Sequence, residues 1–162
     1  MLDGDKSKKA LEKALVFLTK KDRTEREIIE KLSKSGYSKD VIDDVLVKLA
    51  DYGYVNDEDY AKRYLDSLIE KGKGKYAIRD AMSRKGLPSE LVANTIEDGY
   101  SSEREQENAL NLANKVLEEV FTGNEETSKI IAKINRRLMG RGFSYEIINN
   151  VMSKIRERVN NV

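Results

Sequence analysis

The residues best equipped to do chemistry in this chain are cations, and they fall in two runs. Lys71, Lys73, Lys75, Arg79, Arg84 and Lys85 make the first; Lys133, Arg136, Arg137 and Arg141, with Lys129 nearby, make the second. Ammonium and guanidinium groups at this density attract carboxylates or phosphates of a partner. The bland alternative is the solvated surface of ordinary helices. Carboxylates gather elsewhere: Asp40, Asp43, Asp44, Asp51, Asp57, Glu58 and Asp59 in one region, and Glu97 to Glu126 in another. The 30 Lys and Arg against 29 Asp and Glu leave a net charge of +1, so attraction to a charged partner has to come from local patches.

The chain has neither His nor Cys. Their absence removes the usual zinc ligands, thiolate nucleophiles and imidazole bases. Catalysis by carboxylates, Lys or Tyr stays open, but the case for an enzyme falls sharply. The expectation is a protein that is not an enzyme and uses no cofactor or metal. Lys71-Gly72-Lys73-Gly74-Lys75 lacks the spacing of a phosphate loop and follows no strand, so it reads as a flexible basic hairpin between two helices. Tyr52, Tyr54, Tyr60, Tyr64 and Tyr76 crowd one part of the chain; core and junction packing accounts for most of them, and a protein-binding hot spot is the alternative for one or two.

The elements that must position these groups announce themselves by repetition. Gly36-Tyr37-Ser38-Lys39-Asp40-Val41-Ile42, Gly86-Leu87-Pro88-Ser89-Glu90-Leu91-Val92 and Gly142-Phe143-Ser144-Tyr145-Glu146-Ile147-Ile148 share one pattern. Each is a corner between two helices. Gly supplies the left-handed residue that closes the incoming helix. Ser38 and Ser144 cap the outgoing helix, and Pro88 suits its first turn. Tyr37, Leu87 and Phe143 can staple onto Ile42, Val92 and Ile148. An acid near each start, Asp40, Glu90 or Glu146, complements the helix dipole. Positions 36, 86 and 142 lie 50 and 56 residues apart, which indicates an internal repeat.

Register extends the likeness. Eight residues before each corner Gly stand Ile28, Ile78 and Ile134; four before stand Leu32, Met82 and Leu138. Those columns predict the core face of a middle helix. Ala10, Leu11, Ala14, Leu15 and Leu18 predict a first helix of roughly three turns starting near Ser7. Thr24 and Glu27 form a capping box for the second helix. Asn56 or Asp57 can cap the fourth. Ser102 opens the third repeat with Glu105 as its capping-box partner, and leads into the longest helix, closed by Phe121-Thr122-Gly123-Asn124. Arg156 to Val162 reads as a fraying end. The fold expected is all-α, with three tandem three-helix repeats at 7–55, 56–100 and 101–158 in an elongated, curved array.

Other bounds are quickly drawn. Without Cys there is no disulfide framework, no apolar run spans a bilayer, and the first residues lack the apolar stretch of a signal peptide. A cytoplasmic protein with no membrane partner is expected. Sequence-specific reading of DNA by the corners is disfavoured. The third helices of the first two units begin with Asp40, Asp43 and Asp44 or with Glu90, and acids there repel phosphate.

Leu49-Ala50-Asp51-Tyr52-Gly53-Tyr54-Val55-Asn56-Asp57-Glu58-Asp59-Tyr60-Ala61, the corner Arg84-Lys85-Gly86-Leu87 and the tandem units resemble the RecX family of bacterial recombination regulators, from about Ala10 to Ile155. The resemblance implies a non-enzymatic, monomeric protein that binds the RecA–DNA filament and modulates, mainly by inhibition, RecA recombinase, ATPase and co-protease activities. Non-specific contact with single- or double-stranded DNA is compatible with it. The alternative function is a helical nucleic-acid-binding module acting without RecA. The basic face proposed for partner or DNA contact comprises Lys71, Lys73, Lys75, Arg79, Arg84, Lys85, Lys133, Arg136, Arg137 and Arg141.

Overall fold

The computed structural model describes residues 2–121, 123 and 125–161. Among them are nine α-helices and no strand: α1 (Leu2–Lys20), α2 (Glu25–Lys34), α3 (Lys39–Asp51), α4 (Asp57–Glu70), α5 (Lys75–Arg84), α6 (Ser89–Gly99), α7 (Ser102–Val120), α8 (Thr127–Gly140) and α9 (Tyr145–Asn160). Thr122 and Asn124 of the expected closure after α7, and Met1 and Val162 at the ends, lie outside the described residues.

The three corners are built alike. Gly36, Gly86 and Gly142 have φ of 89°, 83° and 81°. At each, the Gly N–H reaches back to the carbonyl three residues before it (Ser33, Ser83, Met139). The next N–H, of Tyr37, Leu87 or Phe143, reaches Leu32, Met82 or Leu138. This pair of bonds satisfies carbonyls that a helix end leaves open, and it requires φ > 0, which Gly adopts without a Cβ clash. Ser38 and Ser144 accept hydrogen bonds from the Val41 and Ile147 amides as N-caps. Pro88 stands one position earlier than expected. Its carbonyl accepts from Val92 N–H, so it occupies the cap itself and α6 starts at Ser89.

All six residues of the two register columns, Ile28, Ile78, Ile134, Leu32, Met82 and Leu138, are fully buried. Around Ile28 and Leu32 the α1–α3 core gathers Ala10, Ala14, Val41, Ile42, Val45 and Leu49, and around Ile134 and Leu138 the α7–α9 core gathers Ala109, Ala113, Val116, Ile148, Val151 and Met152. The chain forms two compact units. One comprises residues 1–63 and 82–92, the other 64–81 and 93–162, so the division passes through α4, α5 and α6.

Several helix ends depart from expectation. α1 has 19 residues rather than roughly three turns, because it begins at Leu2, ahead of the buried Ser7 near which the apolar stripe starts. α7 also has 19 residues and so ties with α1 for length. α9 continues through the expected fraying segment to Asn160. Ile155 is buried, three and four residues after Met152 and Val151, and Val159 packs on the same core four residues further on. The expected capping box at α7 is replaced by Ser101, whose hydroxyl accepts from Arg104 N–H, and Glu105 is freed for another task.

Candidate partner-binding surface

The turn Lys71-Gly72-Lys73-Gly74-Lys75 is a fixed hub, not a flexible hairpin. Gly72, at φ 77°, ends α4, and Gly74 caps α5 through its carbonyl, which accepts from Ile78 N–H. Gly74 N–H donates to Arg141 O at 2.9 Å and Tyr76 N–H to Gly142 O at 3.0 Å. Lys75 N–H donates to Glu105 Oε2 at 2.8 Å, and Tyr100 Oη donates to Lys73 O at 2.8 Å. Asn108 Nδ2 donates both to Ile69 O and to Tyr100 Oη. Arg141 Nη1 closes the ring on Lys71 O at 3.1 Å. Short-range pattern could not show this, since each partner is at least 27 residues away from the turn residue or α4 carbonyl it holds.

The buried Tyr100 phenol is raised above its ordinary pKa of 10.0, first by burial. The Asn108 hydrogen bond opposes this, the Glu105 charge adds to it and the Arg104 charge opposes it. Lys75 Nζ lies 5.9 Å from the Tyr100 ring centre, a cation–π distance.

A second hub sits at the α1–α2 turn. The capping box forms as expected: Thr24 Oγ1 accepts from Glu27 N–H, and Glu27 Oε1 accepts from Thr24 N–H. Thr24 is wholly buried, and its hydroxyl also donates to Lys85 O at 2.6 Å. Asn56 Oδ1 caps α4 by accepting from Asp59 N–H, while Asp57 Oδ1 accepts from Glu25 N–H instead.

The two hubs obey one rule. Thr24 and Gly74 both stand 12 residues before their own corner glycines, Gly36 and Gly86. Each binds the carbonyl just before the next corner glycine, Lys85 before Gly86 and Arg141 before Gly142. Those two glycines are crowded as a result: a Cβ on Gly86 would meet Arg26, and one on Gly142 would meet Ala77. The same position in the third repeat, Ile130, lies inside α8, which begins earlier relative to its corner.

The ten cations of the sequence-derived basic face are therefore not equivalent. Lys71, Arg79, Arg84, Lys133, Arg136 and Arg137 are exposed. Lys73, Lys75, Lys85 and Arg141 are half-buried, and each lends its backbone or side chain to a hub. Lys71 and Arg141 are brought together directly, and Lys75 shares a surface hollow with Arg79, Tyr76, Glu105 and Glu146. Lys133, Arg136 and Arg137 stand at i, i+3 and i+4 on α8, hence on one helical face. Arg84 and Lys85 belong to the other compact unit.

Packing does not absorb most of the clustered tyrosines. Tyr52, Tyr54 and Tyr76 are 62%, 58% and 58% exposed; only Tyr60 and Tyr64 are half-buried. Among the described residues, no group of His, Cys, Asp and Glu could hold a metal ion, and no helix is long and apolar enough to cross a membrane.

Comparison with known proteins agrees with this architecture. Three family models, for the first, second and third three-helix domains of RecX, match residues 10–49, 56–96 and 103–152 in order. Curated relatives named regulatory protein RecX include one from Clostridium botulinum, 30% identical over 146 residues, covering 90% of this chain and 68% of the relative. Another, from Listeria welshimeri, is 35% identical over 146 residues, covering 89% of this chain and 53% of the relative. Among solved structures, that of RecX from Lactobacillus salivarius superposes with a TM-score of 0.83 at 26% identity, covering 93% of this chain and 97% of the other.

Proposed function

The chain belongs to the RecX family, and from that premise we propose that it binds the RecA–DNA filament and restrains RecA recombinase, ATPase and co-protease activities. It is a regulator rather than an enzyme, acting as a monomer in the cytoplasm, where such a filament forms. The observation that carries this reading is the ordered match of three successive domains, with the hubs at Thr24 and Gly74 repeating one packing rule. A modular helical protein can touch several subunits of a repeating partner at once, and linked contacts add avidity. The exposed cations Arg79, Lys133, Arg136 and Arg137 of one unit, and Arg84 of the other, each offer a basic contact to acidic filament surfaces or to phosphate.

Purified RecA on single-stranded DNA with ATP tests this. Adding the protein at sub-stoichiometric to equimolar ratios is expected to slow ATP hydrolysis and strand exchange; unchanged rates reject the reading. Reversing charge at Arg79, Arg84, Arg136 and Arg137 is expected to weaken inhibition. Unchanged inhibition by that variant would reject the basic face and leave filament binding standing. Naked DNA is the necessary control. Inhibition that tracks salt-sensitive binding to DNA alone would favour a module acting without RecA.

A further inference from the structure

The end of α3 has an aromatic anomaly. Gly53 closes this helix as the other corner glycines do, with φ 75°, Gly53 N–H bonded to Ala50 O and Tyr54 N–H to Leu49 O. The residue after such a glycine usually folds its apolar side chain back over the helix end. Leu87 and Phe143 do so and are 4% exposed, whereas Tyr54 is 58% exposed. Tyr52 stands beside it, 62% exposed, with ring centres 5.9 Å apart and planes tilted by 50°. Two large aromatic rings are thus held in water by a rigid turn.

Carboxylates flank the pair along the chain. Asp51, Glu58 and Asp59 are exposed and enter no ion pair among the described residues. The cations nearby are mostly engaged: Arg63 pairs with Asp22 at 3.1 Å, Lys48 with Asp44 at 3.5 Å, and Arg23 lies 3.7 Å from the Phe17 ring centre and 3.9 Å from Glu27, while Lys62 is exposed on α4. Tyr54 and Asp59 stand on the rim of a cleft of about 210 Å³ whose lining also includes Asn56, Asp22 and the two engaged arginines, Arg23 and Arg63. Small-molecule sites run to roughly 300–1,000 Å³, so this cleft suits a single side chain.

We propose that Tyr52 and Tyr54, flanked by Asp51, Glu58 and Asp59, form a docking surface for an Arg- or Lys-bearing segment of the filament's protein subunits. The inference rests on the filament-binding reading and names the surface and the charge of its counterpart. Ring faces attract cations, and the carboxylates supply the complementary field. The same carboxylates repel phosphate, which assigns this surface to protein and not to DNA. Tyr is enriched among residues that dominate protein interfaces.

The test is the affinity of the full chain for RecA filaments on single-stranded DNA, read by fluorescence anisotropy. Tyr52→Ala/Tyr54→Ala is expected to bind about tenfold more weakly, the loss of two cation–π contacts. Tyr52→Phe/Tyr54→Phe keeps both ring faces and is expected to stay within about twofold of wild type. Asp51→Lys/Glu58→Lys/Asp59→Lys, which leaves the aromatic pair untouched, is expected to lose about tenfold or more and to bind with weaker salt dependence. Wild-type binding with an alanine variant of equal affinity overturns this surface while filament binding stands. Absence of wild-type binding overturns both. Phenylalanine variants as weak as the alanine ones would remove the cation-over-ring geometry.

Discussion

Gly74→Ala puts the α4–α5 hub to a direct test. A Cβ at this position would lie 2.5 Å from Gly142 O and 2.5 Å from Phe143 N. Both are backbone atoms of a corner and cannot rotate aside as a side-chain tip would. Reaching an ordinary contact of 3.4 Å requires the segments to part by about 0.9 Å. That movement stretches Gly74 N–H to Arg141 O and Tyr76 N–H to Gly142 O, now 2.9 and 3.0 Å, beyond hydrogen-bonding range. Two lost bonds at about 0.5–1.5 kcal/mol each, plus about 1 kcal/mol of overpacking strain, cost about 2–4 kcal/mol. The lower unfolded-state entropy of Ala returns about 0.4–1 kcal/mol. A net loss of about 2 kcal/mol lowers the melting temperature by roughly 4–8 °C for a chain of this size. Gly140→Ala is the control, because Gly140 is helical and its Cβ would meet nothing within 4 Å. It is expected to be neutral or stabilising by up to about 1 kcal/mol. Thermal and urea denaturation followed by circular dichroism measure both. If the two variants melt together, the turn is not locked against the α8–α9 corner and the hub is wrong.

Thr24→Val removes a buried hydroxyl that accepts from Glu27 N–H and donates to Lys85 O, and is expected to cost about 2–3 kcal/mol in urea unfolding. Thr24→Ser keeps both bonds and should recover most of that stability. Glu105→Leu leaves Lys75 N–H without its partner and is expected to cost about 1–2 kcal/mol, with Glu105→Gln costing less because an acceptor oxygen remains. Tyr100 gives a pH signature. Its folded pKa is raised by burial, so the unfolded chain loses this proton first as pH climbs past 10.0. The stability it confers is full below that value and is lost as pH rises toward the folded pKa. The stability gap between wild type and Tyr100→Phe is therefore expected to narrow above pH 10.0. A gap that stays constant or widens contradicts burial of the neutral phenol.

The local chemistry of the chain was legible without coordinates. Left-handed closures at Gly36, Gly86 and Gly142, serine caps at Ser38 and Ser144, the Thr24–Glu27 box and the buried columns at Ile28, Ile78 and Ile134 all follow from contacts a few residues apart. Such interactions depend on spacing along one helix or across one turn, and repetition marked them as deliberate. The basic face was legible only as a set of residue types. Spacing could place Arg136 and Arg137 on one helix, but it could not show that Arg141 turns its guanidinium to Lys71 O.

Tertiary structure decided the rest, because it concerns groups remote in sequence whose partners are backbone atoms. Glu105 looked like a partner for its own helix start and instead binds Lys75 N–H, 30 residues away. Gly and Lys offer little side-chain packing, so Lys71-Gly72-Lys73-Gly74-Lys75 reads as mobile, yet its amides and carbonyls are claimed by Arg141, Glu105 and Tyr100. Every residue type offers the same backbone N–H and C=O, so no pattern of side chains reveals which of them will meet. Exposure of Tyr52 and Tyr54 was hidden for a related reason. An aromatic residue reads as core from its type, and only the folded chain shows which rings find a neighbour to cover them.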